Sequence, residues 1–186
     1  MNDGYEIYYD HQIYIGKHTY FSSPPTRLEY NDVNSKVRIG HYTSVAQDVI
    51  FQAGGNHNTH FATTYPLITR LMPNRPPLSE MPIVDDDIVI GSDVWICRDV
   101  KIMGPLKIGH GAILAAHSVV TKDVPPYAIV AGNPARIKKF RFDQEIIDKL
   151  LEIAWWNWSD EEVLERADDL VGLDINYFVE KYKEKK

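Results

Sequence analysis

One period dominates this chain. Between residues 88 and 135 an aliphatic residue returns at every sixth position: Ile90, Ile96, Ile102, Ile108, Leu114 and Val120. Four residues after each stands a companion, Val94, Val100, Leu106, Ala112, Ser118 and Val124, mostly small or aliphatic. A helix buries one face at a spacing near 3.6 and a plain strand at a spacing of 2, so a sustained six fits neither. It fits a parallel β-helix whose chain turns a corner every six residues and points one aliphatic side chain inward at each. One coil cannot bury its apolar side alone, but stacked neighbours can.

Shorter pieces of the same pattern come earlier. Ile15 and Phe21 are six apart. Ser22 to Ser35, with Pro24-Pro25 and Asn31-Asp32, reads as an irregular excursion. Ile39, Val45 and Phe51 then fall in register, with Thr43 and Val49 as companions. The stretch from Ala53 to Asp87 breaks the period with Gly54-Gly55 and several prolines, and a loop that long inside a compact domain is usually functional. The spacings predict a mainly β fold, a β-helix over residues 1–141 with an inserted loop at about 53–87. Residues 142–186 form a helical appendage. There, Ile146, Ile147, Leu150, Leu151, Ala154 and Trp155 recur at helical spacing through Trp158, with Asp143 as the cap. Ser159 and Glu162 have the spacing of a capping box, and Asp174 to Lys183 suits a third helix. The appendage is expected to cover the last coil, whose open edge would otherwise invite strand pairing.

Composition excludes several classes. A hydrophobic share of 44% rules out a disordered chain, and a net charge of −6 argues against a nucleic-acid binder, which needs a basic face. Cys97 is the only cysteine, so no internal disulfide forms and a reducing cytoplasm is expected. The first ten residues carry no signal-peptide pattern, and no apolar run reaches the length of a membrane span.

The repeat, followed by Ala131-Gly132-Asn133-Pro134-Ala135-Arg136, resembles the hexapeptide-repeat acyltransferases. Three further segments sharpen the resemblance to the xenobiotic acetyltransferase branch, which includes chloramphenicol and streptogramin A acetyltransferases. They are Gly54-Gly55-Asn56-His57 with Tyr65-Pro66 beyond it, Ile90 to Ile96 around Trp95, and Arg141-Phe142-Asp143 leading to Trp155-Trp156-Asn157-Trp158. Enzymes that acetylate surface polysaccharides share many of these features. The resemblance implies a left-handed β-helix, a homotrimer, and acetyl-CoA as donor in a cleft between subunits. It departs at Cys97, where the family usually has Gly, and at Gly104-Pro105, which reverses the usual order; both read as accommodations in a turn. The segment before Val37 is short for an antibiotic-modifying member, which tilts the expected acceptor towards a sugar or glycan precursor.

A hydroxyl is a poor nucleophile while protonated, so acetyl transfer to it calls for a base working near neutrality, and histidine suits. His57 matches the family's catalytic position, in a Gly-rich turn at the mouth of the loop; a solvated loop histidine is the bland alternative and His60 the rival. Asn56, Tyr20 and Trp95 are candidates for substrate contact, although a turn asparagine and a packed aromatic are the ordinary readings. Arg98, Ala116, Thr121, Lys122, Arg136 and Lys139 match positions that contact CoA in related enzymes, the cations serving its phosphates and the small residue the pantetheine arm. His41, His110 and His117 read as outward-facing coil residues, Trp155 and Trp158 as core packing with Leu151, and Asp85-Asp86-Asp87 as a solvated turn, with no metal required. A nucleotide-linked amino sugar as acceptor is the alternative to a hydroxyl. A γ-type carbonic anhydrase uses a related β-helix but needs three zinc-binding histidines, and no such spacing occurs here. A non-catalytic scaffold would not need the His57 motif.

Overall fold

The computed structural model describes residues 6–8, 13–24, 26–28, 35–72, 74–75 and 87–183. After β1 (Glu6–Tyr8), the first coil carries β2 (Ile13–Ile15), β3 (Tyr20–Phe21) and β4 (Thr26–Leu28). The second carries β5 (Val37–Ile39), β6 (Ser44–Val45) and β7 (Ile50–Gln52), followed by a loop with one short helix, α1 (Leu67–Leu71). The third carries β8 (Ile88–Ile90), β9 (Trp95–Ile96) and β10 (Lys101–Met103), and the fourth β11 (Leu106–Ile108), β12 (Ile113–Leu114) and β13 (Val119–Val120). β14 (Ala128–Ala131) and β15 (Arg136–Phe140) close the series. Like strands of successive coils pair in parallel, so the molecule is a three-faced prism. Its first face runs β1-β2-β5-β8-β11, its second β3-β6-β9-β12-β14-β15, and its third β4-β7-β10-β13.

The six-residue columns become the core. Ile39, Ile90 and Ile108 stand opposite one another on the first face, Val45, Ile96 and Leu114 on the second, and Phe51, Ile102 and Val120 on the third, all buried. The companion column from Val94 to Val124 is buried too. Its one polar member, Ser118, accepts the Gly132 N–H at 3.2 Å, which satisfies the hydroxyl. Each aliphatic side chain fully removed from water contributes about 1.5–3 kcal/mol. Ser22 to Ser35 is not wholly irregular, because β4 within it pairs with β7.

Corners form where one residue per hexad turns left-handed. Between the first and second faces these are His18, Tyr42, Asp93, Gly111 and Tyr127; between the second and third, Asp48, Asp99 and His117. At the first corner Lys17, His41, Ser92 and His110, each just before a left-handed residue, form a ladder between coils. Lys17 N–H donates to His41 Nδ1 at 2.8 Å, His41 N–H to Ser92 Oγ at 3.0 Å, and Ser92 N–H to His110 Nδ1 at 2.9 Å. Glycine precedes each because coils touch there: a Cβ on Gly91 would lie 2.7 Å from the His110 nitrogen. His117 is an exposed coil residue as expected, but His41 and His110 are not simply outward-facing. Their rings turn back to satisfy backbone donors, and His110 stacks flat on Trp156 at 4.5 Å.

The appendage comprises α2 (Gln144–Ile153), a 3-10 turn at Trp155–Asn157, α3 (Asp160–Glu165), α4 (Ala167–Leu170) and α5 (Ile175–Tyr182). Asp143 caps α2, accepting from Ile146 N–H, and the Ser159–Glu162 capping box is present. α2 stops short of Trp158 because Ala154 adopts a left-handed φ of 43°. Leu151, Trp155 and Trp158 pack against a second apolar cluster built on Tyr127, Ile147, Leu150 and Phe178. The appendage packs on Tyr127 of the last coil and on His110 of the fourth rather than lying only over the end of the prism. It lies along the first corner, where Lys17 Nζ reaches Trp158 O at 2.6 Å and Asp160 at 3.1 Å, back at the first coil. The edge of β14 is covered instead by the antiparallel β15. Asp85 and Asp86 lie outside the described residues; Asp87 holds Arg38 at 2.8 Å and the Lys36 N–H at 2.8 Å.

Arg141 joins prism to appendage. Its backbone N–H donates to Tyr127 O, and Nη1 donates to Gly111 O at 2.8 Å and to Asp93 at 3.1 Å, so one residue links three stacked corners. Burial raises the Asp93 pKa and the Arg141 charge opposes it. Removing that charge leaves a mostly buried carboxylate without a partner. Arg141→Ala should cost about 2–4 kcal/mol in urea denaturation.

The corner histidines give a pH dependence. Burial holds His41 and His110 below 6.5, and Lys17 and His18 add to the effect at His41. Below that pH the unfolded chain binds more protons than the folded one, so stability falls as pH drops through 6.5 towards the depressed values. Urea midpoints should decline between about pH 7 and 5.5, before most carboxylates titrate. His110→Asn keeps an acceptor near the Nδ1 position without titrating and should flatten that decline.

Candidate functional site

The loop leaves the prism at the third corner, after β7. Gln52 Nε2 donates to Gly54 O at 3.2 Å, and Gly55 takes φ 86°, which turns the chain outward. Asn56 and His57 follow, both exposed. His57 Nδ1 lies 2.6 Å from Thr64 O. A carbonyl only accepts, so in the neutral ring Nδ1 carries the proton and Nε2 holds the lone pair. Two local bonds shape the intervening turn: Asn58 Oδ1 accepts the His60 N–H at 2.9 Å, and Thr63 Oγ1 accepts the Tyr65 N–H at 3.1 Å. Pro66 is buried and anchors the return. The ring of His60 has no such orienting partner among the described residues. No residue type marks the Thr64 carbonyl in advance, because any residue supplies one.

The other candidates fall into three groups. Arg98 and Ala116 stack at the second corner, where Arg98 O accepts the His117 N–H at 3.0 Å. Arg98 is held from below, Nη2 donating to Gln47 Oε1 at 2.6 Å, with Asp48 at 3.6 Å and Asp99 at 3.9 Å from Nε. Gln47 was not expected here; aligning Val45 with Ile96 puts it beneath Arg98. The Cys97 thiol sits against the Ala116 N–H, and burial, the larger effect, raises its pKa. Gly104, the other departure from the family pattern, has φ 88° and open space around it, as a turn accommodation requires.

Thr121 and Lys122 are exposed just after β13. They follow the same third corner from which the His57 loop emerges, where Gly104 N–H donates to Gln52 O at 2.7 Å. Arg136 and Lys139 are exposed on β15. Tyr20, Ser44, Trp95, Ile113, Ile129 and Lys139 form one register row across the second face. Tyr20 is 58% and Trp95 53% exposed, so Trp95 is not a packed coil aromatic. Within one chain, then, the imidazole stands at the third corner, the aromatics on the second face, and Arg98 with Ala116 between them. Among the described residues no cluster of three His, Cys, Asp or Glu side chains is arranged to hold a metal.

The site thus offers a loop imidazole at one edge of a prism, with exposed cations near its last coil. The family described as bacterial transferase hexapeptide (six repeats) matches residues 87–122. A Lysinibacillus sphaericus protein named "Probable macrolide acetyltransferase" is 39% identical over 153 residues, covering 77% of this chain and 81% of its own length. A chloramphenicol acetyltransferase of Klebsiella aerogenes is 37% identical over 168 residues, covering 81% of this chain and 78% of its own. The solved structure of a hexapeptide-repeat acetyltransferase from Vibrio cholerae superposes with a TM-score of 0.54 at 30% identity, covering 70% of this chain and 64% of that one.

The His57–Thr64 contact fixes a tautomer. Nitrogen-15 spectra of the neutral protein should show the His57 proton on Nδ1, whereas an unrestrained imidazole favours Nε2.

Proposed function

Because this chain belongs to the hexapeptide-repeat acetyltransferases, in the xenobiotic branch that contains the chloramphenicol acetyltransferases, we propose that it transfers an acetyl group from acetyl-CoA to a hydroxyl of a small molecule, with His57 as general base. The observation that carries this reading is the 2.6 Å contact between His57 Nδ1 and Thr64 O, which leaves Nε2 as the basic nitrogen. Nε2 takes the proton of the acceptor hydroxyl as its oxygen bonds to the acetyl carbonyl carbon. The carbon–sulfur bond breaks, and the imidazolium returns its proton to the departing thiolate. The Thr64 carbonyl stabilises the imidazolium in between and keeps the ring from turning.

The reading includes a left-handed coil and a trimer, with the donor in a seam between copies. Arg98, Ala116, Thr121, Lys122, Arg136 and Lys139 line its path, and the cations meet its phosphates. Asn56, Tyr20 and Trp95 contact the acceptor side. The two relatives described are named for a macrolide and for chloramphenicol, so an antibiotic hydroxyl and a sugar hydroxyl both belong in the acceptor set.

CoA release should be measured with chloramphenicol, streptogramin A, glycan sugars and an amino sugar as acceptors. His57→Ala should lower turnover by about 10²–10⁴-fold. His60→Ala should leave it near wild type. Loss of turnover in His60→Ala with retention in His57→Ala would reassign the base, and turnover confined to the amino sugar would replace the hydroxyl reading.

A further inference from the structure

Arg98 differs from the other cations assigned to the donor. Among the described residues Lys122, Arg136 and Lys139 have no carboxylate partner. Arg98 has two: Asp48 Oδ2 lies 3.6 Å and Asp99 Oδ2 3.9 Å from its Nε. His117 Nδ1 stands 3.6 Å from the same Asp99 and adds a positive charge only when protonated. One guanidinium between two carboxylates leaves this corner without the net positive charge that draws an anion. The Nε contacts are too long for hydrogen bonds, and pairs this exposed hold a side chain weakly. The short bond is to Gln47, which accepts from Nη2 at 2.6 Å and fixes the direction of the fork. Nη1 makes no hydrogen bond among the described residues, so its two N–H groups remain for a ligand. The register of Val45, Ile96 and Leu114 puts Gln47, Arg98 and Ala116 in one column, and Ala116 is exposed and small.

We propose that Arg98 serves an uncharged stretch of the donor, an amide carbonyl of the pantetheine arm, and that Gln47 is the residue that positions it. The inference rests on the donor path proposed above and divides it: Lys122, Arg136 and Lys139 take the phosphates, and Arg98 takes a neutral oxygen. A phosphate bonded to Nη1 would stand close to Asp48 and Asp99, whose repulsion offsets the attraction of the guanidinium. An amide oxygen meets no such repulsion, and the guanidinium remains a strong donor to it. Gln47 touches no part of the donor and acts through Arg98 alone.

The probes are CoA and pantetheine, the second being the arm without the nucleotide and its phosphates. Dissociation constants for the intact protein are read by calorimetry, with pantetheine titrated in competition with CoA. Arg98→Ala should weaken both probes by the same factor, about threefold to tenfold. Lys122→Ala should weaken CoA and leave pantetheine unchanged. Gln47→Ala should reproduce much of the Arg98→Ala loss on both probes, and in turnover that loss should fall on the KM for acetyl-CoA rather than on kcat. Gln47→Glu keeps an acceptor for Nη2 and should restore the affinity. Arg98→Met, which keeps the apolar stem, replaces the alanine variant if that one does not fold. The proposal is overturned if Arg98→Ala weakens CoA alone or neither probe, or if Gln47→Ala leaves both unchanged, while the Lys122 result keeps the donor path standing. Failure of the wild-type protein to bind CoA would bring down the donor path and this inference with it.

Discussion

The fold depends on the contact between one coil's corner and the next. At the first corner a glycine, a bonding residue and a left-handed residue repeat, and each coil's backbone donor finds its acceptor on the coil after it: Lys17 on His41, His41 on Ser92, Ser92 on His110. Left-handed backbone costs a non-glycine residue about 1–2 kcal/mol, yet His18, Tyr42, Asp93 and Tyr127 all adopt it. The cost is offset because the corner keeps all three faces in register, and register stacks the aliphatic columns. Arg141 then gathers three of these corners onto one guanidinium and backbone, just where the chain passes from the prism into the appendage.

The same register explains how a loop can carry chemistry without disturbing the core. Ile39 faces Ile90, Val45 faces Ile96 and Phe51 faces Ile102, so the chain returns from its long detour to the coil position it left. Closing a loop costs entropy that grows only with the logarithm of its length, so the detour is cheap once its ends are fixed. Inside it, His57 is oriented by a carbonyl seven residues further along its own loop. The prism positions the loop's ends and the loop orients its own imidazole.

The prism was legible in the sequence because its inward columns are a strict count of six, which composition at the surface cannot mask. β4 was not, because Thr26–Leu28 sits between Pro24-Pro25 and a run of turn-forming residues, and the pairing with β7 overrides the local propensities. The end of α2 was missed because Ala154 is a strong helix former by propensity, while packing of Trp156 on His110 requires the chain to turn there. His41 and His110 looked like surface residues because periodicity reports which residues point inward, not where a ring on a corner finds its hydrogen bond. Of the candidate site, His57 was legible from its motif and Arg98 from its place in the repeat, but their partners Thr64 and Gln47 depend on tertiary geometry.

What one chain leaves exposed bears on how a transfer site can be completed. The second face presents Tyr20 and Trp95 to solvent, with Ser44 between them, Ile113 and Ile129 further along the same row and Lys139 at its end. The first face instead carries Arg38 over Tyr14 at 5.0 Å and the exposed Lys107, a surface suited to water. The His57 loop leaves after β7, at the edge that the second face does not share. His57 is oriented within that loop, by Thr64. In the proposed trimer it meets the second face of a neighbouring copy.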